Sequence, residues 1–194
     1  MRTEVARCLG FSPIDRFEAK LKTVLTTEQI QQGVERLAAR VRAEYGQTPL
    51  TILAIMTGSV VLLADLIRRL EMPLRVGVMQ ASSYRGATTT RGELTINLEM
   101  APDIRDRNVL LVDDIFDTGH TLEKTIAKLW ELNPASVRSA VLLRKVGRQE
   151  VTAQPDFVAF EIPDEFVVGY GLDYRDEYRN LPYLAALEPG DLAT

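Results

Sequence analysis

The chain has 194 residues, of which 46% are hydrophobic and 26% are charged, and its formal net charge is −4. This length suits one domain with a substantial core, and these fractions are typical of soluble globular proteins. The acidic balance gives no basis for a nucleic-acid or anionic-membrane partner, and no stretch has the apolar length of a membrane span. The lone Cys8 cannot form an internal disulfide, so we expect a cytoplasmic protein in a reducing compartment.

The first 24 residues predict an N-terminal extension, because they show no clear hydrophobic period and charged side chains interrupt any signal-peptide core. A single domain is predicted over residues 25–194. Its first element is a helix: Thr26 and Gln29 have the spacing of a capping box, and apolar residues then recur at helical intervals to about Tyr45.

Strand and helix patterns alternate along the rest of the chain. The predicted elements are strand Leu50–Met56, helix Ser59–Leu70, strand Leu74–Met79, loop Ser82–Gly92, strand Glu93–Glu99, a strand from Val109 to the acids Asp113 and Asp114, helix Thr118–Leu132, strand Val137–Leu143, and shorter strands Asp156–Ile162 and Phe166–Val168. This order indicates an α/β fold with a mostly parallel, twisted sheet covered by helices on both faces. Ligands bind beyond the carboxyl ends of the strands in such folds.

The most informative segment is Val109–Leu122, in which an apolar strand ends in acids and a turn rich in small residues leads into a helix. A helix N-terminus can hold a phosphate with backbone N–H groups, and carboxylates can accept ribose hydroxyls or lie near a hard cation. The alternative is a plain strand with an acidic helix cap. Three acids crowd this strand end where a cap needs one, and their repulsion favours a ligand site.

The same segment resembles the phosphoribosyl-diphosphate motif of the type I phosphoribosyltransferases, and the wider chain resembles the hypoxanthine-guanine members of that family. The resemblance runs in the family's order from about Leu25 to Leu187. It is carried by the segments Leu53–Ser59, Ala64–Leu66, Ser82–Tyr84, Leu142–Lys145, Pro155–Phe157, Phe160–Tyr174 and Arg179–Pro182. It implies the type I fold, with a small hood from the C-terminal segment, and it implies purine salvage. In that reaction a 5-phosphoribosyl group moves from its diphosphate to hypoxanthine or guanine.

The resemblance assigns a role to each matching residue. Asp117 would be the catalytic proton acceptor, facing N7 of the purine. The residues implied for phosphoribosyl diphosphate are Asp113, Asp114, Ile115, Phe116, Asp117, Thr118, Gly119, His120, Thr121, Thr57, Gly58 and Arg179. Asp117 could also be a helix cap, and His120, the only histidine, could equally be a solvent-facing loop residue.

The remaining implied roles concern the base, the metal and the lid. Lys145, Phe166, Val167 and Asp173 would bind the purine, with Lys145 donating to the exocyclic oxygen that distinguishes 6-oxopurines from adenine. Without the family, Phe166 and Val167 would be interpreted as core. Asp173 would contact Mg²⁺, with Asp113 and Asp114 as further candidates. Ser83 and Tyr84 would open a loop that closes over the site, and relatives predict a homodimer or homotetramer.

The sequence departs from the family pattern in its loops. The first pyrophosphate loop often carries Lys or Asn-Gly where this chain has Thr57-Gly58, so Thr57 offers a hydroxyl and an N–H group but no charge. The family often has a non-proline cis peptide there, which would be Met56–Thr57. Arg85 also stands in the lid where a small residue is frequent.

Three other functions fit the sequence less well. The first is a different phosphoribosyltransferase or a regulatory relative, such as a pyrimidine-directed protein that binds RNA. The run Phe166–Asp173 and Lys145 favour purines instead, and the acidic net charge weakly disfavours RNA. Phe116–Leu122 also resembles the aspartyl-phosphate loop of haloacid-dehalogenase-like phosphatases, but Gly119 stands where that loop needs its second Asp. A non-catalytic nucleotide-binding module would not need Asp117 and Arg179. No Walker loop is present, so ATP-driven chemistry is not indicated.

Overall fold

The computed structural model describes residues 21–83, 94–188 and 190. The helices in these ranges are α1 (Thr27–Tyr45), α2 (Val60–Ile67) and α3 (His120–Trp130). The strands are β1 (Lys22–Leu25), β2 (Leu50–Met56), β3 (Leu74–Ser83), β4 (Leu94–Asn97), β5 (Asn108–Phe116), β6 (Ser136–Lys145), β7 (Phe157–Ile162), β8 (Val167–Val168) and β9 (Leu184–Ala186). The predicted α/β fold is confirmed.

Six strands form the main sheet in the order β4-β3-β2-β5-β6-β7. All neighbours in it are parallel except β3 and β4, which are antiparallel. The parallel strands are nearly continuous apolar runs because both of their faces are covered. Their carboxyl ends therefore meet at one edge, where the chain passes from β2 and β5 into helices.

Helices cover both faces of this sheet, as predicted. Alternate residues of the central strands separate into two cores. Ile52 and Leu110 pack with α1 and α2 in one core, while Leu53 and Leu111 pack with Leu122 of α3 in the other. The period-two alternation of a strand produces this division.

The helix ends follow local chemistry. The Thr26 hydroxyl accepts from Gln29 N at 3.3 Å and the Gln29 side chain accepts from Thr26 N at 2.8 Å, so the predicted capping box of α1 is confirmed. Helix α2 ends at Ile67, three residues before the predicted Leu70. Its last turn tightens there, since Arg69 N donates to Leu66 O, three residues back, at 2.9 Å.

A second, three-stranded antiparallel sheet has the order β1-β9-β8 and forms the hood. Two of its strands come from the C-terminal segment, as expected, but β1 comes from the N-terminal side. The predicted boundary between residues 24 and 25 falls inside β1, and residues 1–20 of the predicted extension lie outside the described residues. In the ranges described, no helix is both long and apolar enough to cross a membrane.

Candidate active site

A cavity of about 290 Å³ lies at the carboxyl edge of the main sheet. Its lining comes from the ends of β2, β3, β5 and β6 and from the turn into α3. The lining residues are Ile55, Met56, Gly58, Ala81, Asp113, Asp114, Ile115, Phe116, Asp117, Thr118, Gly119, Thr121, Leu122 and Val141. Most of the predicted phosphoribosyl-diphosphate residues therefore share one cavity.

Two acids from β5 lie side by side at the base of this cavity. The Asp113 carboxylate accepts from Asp114 N at 3.0 Å, and the Asp114 carboxylate accepts from Ile115 N at 2.7 Å. Burial raises the pKa of Asp113 well above its ordinary value, and the neighbouring charge of Asp114 raises it further. Burial also raises the pKa of Asp114. Two acids this close, one buried and one partly buried, favour a partner that donates hydrogen bonds or carries positive charge.

The turn into α3 presents backbone N–H groups to the same cavity. Gly119 caps the helix with φ of 91° and gives no side-chain hydrogen bond, so the N–H groups of the first turn have no side-chain cap. A side chain at Gly119 would overlap Val151 and the Phe116 ring. Helix α3 has 11 residues, and its aligned peptide dipoles give its N-terminus a partial positive charge that attracts a phosphate.

His120 turns toward a neighbouring loop. Its Nε2 lies 2.9 Å from Glu150 Oε2, and Glu150 N donates to Thr118 O at 3.0 Å. The connection between β6 and β7, which carries Glu150, therefore holds the turn between β5 and α3 in place. No pattern in the sequence indicates this contact, since Glu150 follows His120 by thirty residues.

The predicted proton acceptor Asp117 meets two cations. Lys145 Nζ lies 3.4 Å from Asp117 Oδ2, and Arg148 Nε donates to Asp117 Oδ1 at 3.0 Å. The Lys145 side chain is 11% exposed, whereas that of Asp117 is 36% exposed. Two of the residues predicted to face the purine thus lie together, and sequence analysis missed Arg148 beside them.

The turn after β2 packs closely against the hood. The Met56–Thr57 peptide is cis, as the resemblance implies, and Thr57 is exposed. Gly58 lies against the Asp114 carboxylate, and Gly171, with φ of 102°, lies against the Gly58 carbonyl. Side chains at either glycine would overlap these neighbours, so glycine is required here for close approach.

The hood supplies the other predicted residues. Arg179 Nη2 lies 2.8 Å from Asp173 Oδ1, and Arg179 Nη1 donates to Gly171 O at 2.8 Å. Phe166 is 41% exposed and its ring meets that of Tyr174 edge to face at 5.6 Å, whereas Val167 is buried in β8. An exposed ring on the hood is available for stacking, which a core residue would not be.

The predicted lid loop begins at the end of β3. Ser83 ends β3, where it pairs with Leu94, and Tyr84 lies outside the described residues. No group of three or more His, Cys, Asp or Glu side chains in the described ranges is arranged to hold a metal. Mg²⁺ in phosphate enzymes needs only one or two carboxylates together with phosphate oxygens and water, and Asp113, Asp114 and Asp173 each carry the oxygen donors that it takes.

Comparisons with known proteins agree with this geometry. A family model described as phosphoribosyl transferase domain matches residues 20–175. A hypoxanthine-guanine phosphoribosyltransferase from Staphylococcus aureus is 40% identical over 170 residues, which are 87% of this chain and 95% of that protein. The crystal structure of a hypoxanthine phosphoribosyltransferase from the same species superposes with a TM-score of 0.86 at 36% identity, covering 94% of this chain and 100% of that one. A Trypanosoma cruzi hypoxanthine phosphoribosyltransferase variant, solved as a ternary substrates complex, gives a TM-score of 0.82 at 34% identity, covering 89% and 97%.

Proposed function

The chain belongs to the phosphoribosyl transferase domain family, and on that premise we propose that it acts in purine salvage as a hypoxanthine-guanine phosphoribosyltransferase. It transfers the 5-phosphoribosyl group of phosphoribosyl diphosphate to hypoxanthine or guanine, giving IMP or GMP and pyrophosphate. The observation that carries this proposal is the pairing of Asp117 with the buried Lys145 beside the uncapped N-terminus of α3.

The phosphate and ribose ends of the substrate call for different groups. The N–H groups of the turn from Thr118 to Thr121 would hold the 5′-phosphate. Asp113 and Asp114 would accept hydrogen bonds from the ribose hydroxyls, which offsets the cost of removing carboxylates from water. With substrate bound, negative charge on this pair would stabilise the positive charge that develops on the ribose ring as pyrophosphate departs.

The transfer to the purine breaks one bond at C1′ and forms another. The C1′–O bond to pyrophosphate breaks with its electron pair on oxygen, a C1′–N9 bond forms to the purine, and the N7 proton passes to Asp117. Lys145 would donate to the 6-oxo group and Phe166 would stack on the ring, while Val167 and Asp173 complete the base site. An adenine in this position would place an amino group against the Lys145 ammonium, so 6-oxopurines are favoured.

Pyrophosphate would be held on the hood side of the cavity. Arg179 offers a planar fork of donors. Thr57 and Gly58 offer backbone N–H groups, and Gly171, whose carbonyl accepts from Arg179, lies against the Gly58 carbonyl. Asp173, with Asp113 and Asp114 as further candidates, would hold Mg²⁺, which when bound neutralises charge on the diphosphate. Because Thr57 carries no charge, Arg179 would be the principal cation for pyrophosphate.

A product assay tests this function. The purified chain with Mg²⁺ and phosphoribosyl diphosphate is incubated separately with hypoxanthine, guanine, xanthine, adenine and uracil, and nucleotide is measured by chromatography. Nucleotide from 6-oxopurines alone is the expected result. Turnover of adenine or uracil, or binding without any turnover, would contradict the proposal. Sedimentation of the same sample tests the expected homodimer or homotetramer.

A further inference from the structure

Four charged side chains tie together three loops beside the site. Asp117 lies between β5 and α3, Lys145 ends β6, Arg148 lies between β6 and β7, and Asp164 lies between β7 and β8. Beyond the two contacts of Asp117 given above, Lys145 Nζ donates to Asp164 Oδ1 at 3.2 Å, and Arg148 Nε lies 3.6 Å from that same oxygen. Each cation therefore lies between the same two carboxylates.

The members of this quartet differ in their freedom to move. The Lys145 side chain is 11% exposed, but those of Arg148 and Asp164 are 45% and 49% exposed. The hydrogen bond to Asp117, and then the charges of Asp117 and Asp164, raise the pKa of the Arg148 guanidinium above its ordinary value. Arg148 is thus a permanent cation on a solvent-facing loop with two acceptors within reach.

One of these acceptors has another task. A carboxylate that takes the purine proton must present an oxygen to the base, and Arg148 lies on Oδ1 of Asp117 while Lys145 lies near Oδ2. Lys145 has its own place on the purine in the proposed reaction. Arg148 has none, and Asp164 lies close enough to receive it after a small side-chain movement.

We propose that Arg148 is a positioning residue that competes with the purine for Asp117, and that Asp164 is the acceptor to which it moves when the base binds. This inference rests on the proposed function. Base binding is then an exchange of ion-pair partners, in which Asp117 exchanges Arg148 for the purine N–H group. Asp164 keeps the displaced guanidinium paired, so the exchange does not leave a cation without a partner.

The two residues are therefore expected to affect base binding in opposite directions. Arg148→Gln removes the competitor and should lower the KM for hypoxanthine, whereas Asp164→Asn removes the receiving acceptor and should raise it. Because exposed ion pairs contribute little, each change should be roughly two- to fivefold. The KM for phosphoribosyl diphosphate and the kcat should stay within about twofold, since the exchange concerns the base alone. In the double variant the effect of Asp164→Asn should disappear.

The experiment is a double-mutant cycle on KM for hypoxanthine with the full chain. A matched control cycle uses Arg138→Gln and Glu44→Gln, a pair 2.7 Å apart and similarly exposed at the opposite end of β6. Arg148→Lys, which keeps the charge, should retain most of the competition, and added salt should lower the wild-type KM more than that of Arg148→Gln.

The outcomes separate this inference from the proposed function. A raised KM in Arg148→Gln would mean that Arg148 orients Asp117 or contacts the base, and would overturn the exchange. Independent effects of the two substitutions would overturn it as well. A wild-type chain that makes no nucleotide would overturn the proposed function and this inference with it, whereas an active wild type with the wrong pattern of variants overturns the inference alone.

Discussion

Asp117 is the side chain on which the proposed chemistry depends most directly. Asp117→Asn keeps the shape and one acceptor oxygen but cannot take a proton. We expect kcat to fall by about 10²- to 10⁴-fold, the usual contribution of a general base, with the KM for phosphoribosyl diphosphate nearly unchanged. Steady-state kinetics measure this effect. The control variant is Asp103→Asn, which changes an exposed acid that accepts a hydrogen bond from Arg105 N. Retention of more than about a tenth of the wild-type kcat would remove Asp117 from its role.

Asp113, which we propose binds the ribose, would oppose folding at neutral pH. Because its folded pKa lies above its ordinary value of 3.8, the protonated form is favoured in the fold. Protonated Asp113 stabilises the fold. This stabilisation is fully present below pH 3.8 and is lost as pH rises through the raised pKa of the folded state.

Asp113→Asn should therefore stabilise the ligand-free protein at neutral pH while weakening substrate binding. The amide oxygen can still accept from Asp114 N, but the buried charge is gone. Thermal unfolding from pH 4 to 8 should show a difference in Tm that is near zero at the acidic end and grows with pH, by about 2–4 °C for each kcal/mol gained. A variant that is less stable than wild type at pH 7 would contradict this account.

Single residues also mark the limit of sequence reasoning. The acids of β5 and the turn after them were predictable because they are contiguous and end an apolar strand. Arg148, Glu150 and Asp164 were not, since their partners lie 16 to 31 residues away and depend on how three loops meet. Surface charges in loops carry no periodic signal that could identify such pairs.

At the scale of elements, the main sheet was predictable and the hood was only partly so. Strands β2 and β5 are long apolar runs between turn signals. Strands β1 and β9 have four and three residues, and their sequences, Lys-Thr-Val-Leu and Leu-Ala-Ala, have no distinctive pattern. They form because β9 pairs with β1 on one side and with β8 on the other, which is a tertiary effect that overrides weak local preference.

The contact between the hood and the turn after β2 gives a prediction at the same scale. Gly171→Ala would place a Cβ against the Gly58 carbonyl in a backbone conformation that L residues rarely adopt. We expect lower stability and a raised KM for phosphoribosyl diphosphate, because the Gly58 loop must move. Gly46→Ala is the matched control, since φ is also positive there, at 56°, but no heavy atom lies within 4 Å of the added Cβ. Equal KM values in the two variants would show that this contact does not position the pyrophosphate loop.

For the whole molecule, the substrate is expected to bridge the main sheet and the hood. The residues proposed for the 5′-phosphate and ribose lie at and after the end of β5 in the main sheet, while Arg179 and Asp173 lie in the loop that joins β8 and β9 of the hood. Phosphoribosyl diphosphate with Mg²⁺ at about 100 times its Kd should stabilise the fold by about 2.7 kcal/mol, which corresponds to a rise in Tm of about 5–11 °C. Ribose 5-phosphate lacks the diphosphate that reaches Arg179, so its shift at equal concentration should be smaller. Thermal denaturation with each ligand, and with Mg²⁺ alone as the control, measures this difference. Equal shifts from the two sugars would mean that the hood does not hold the pyrophosphate and that the cation for it must be sought elsewhere in the chain.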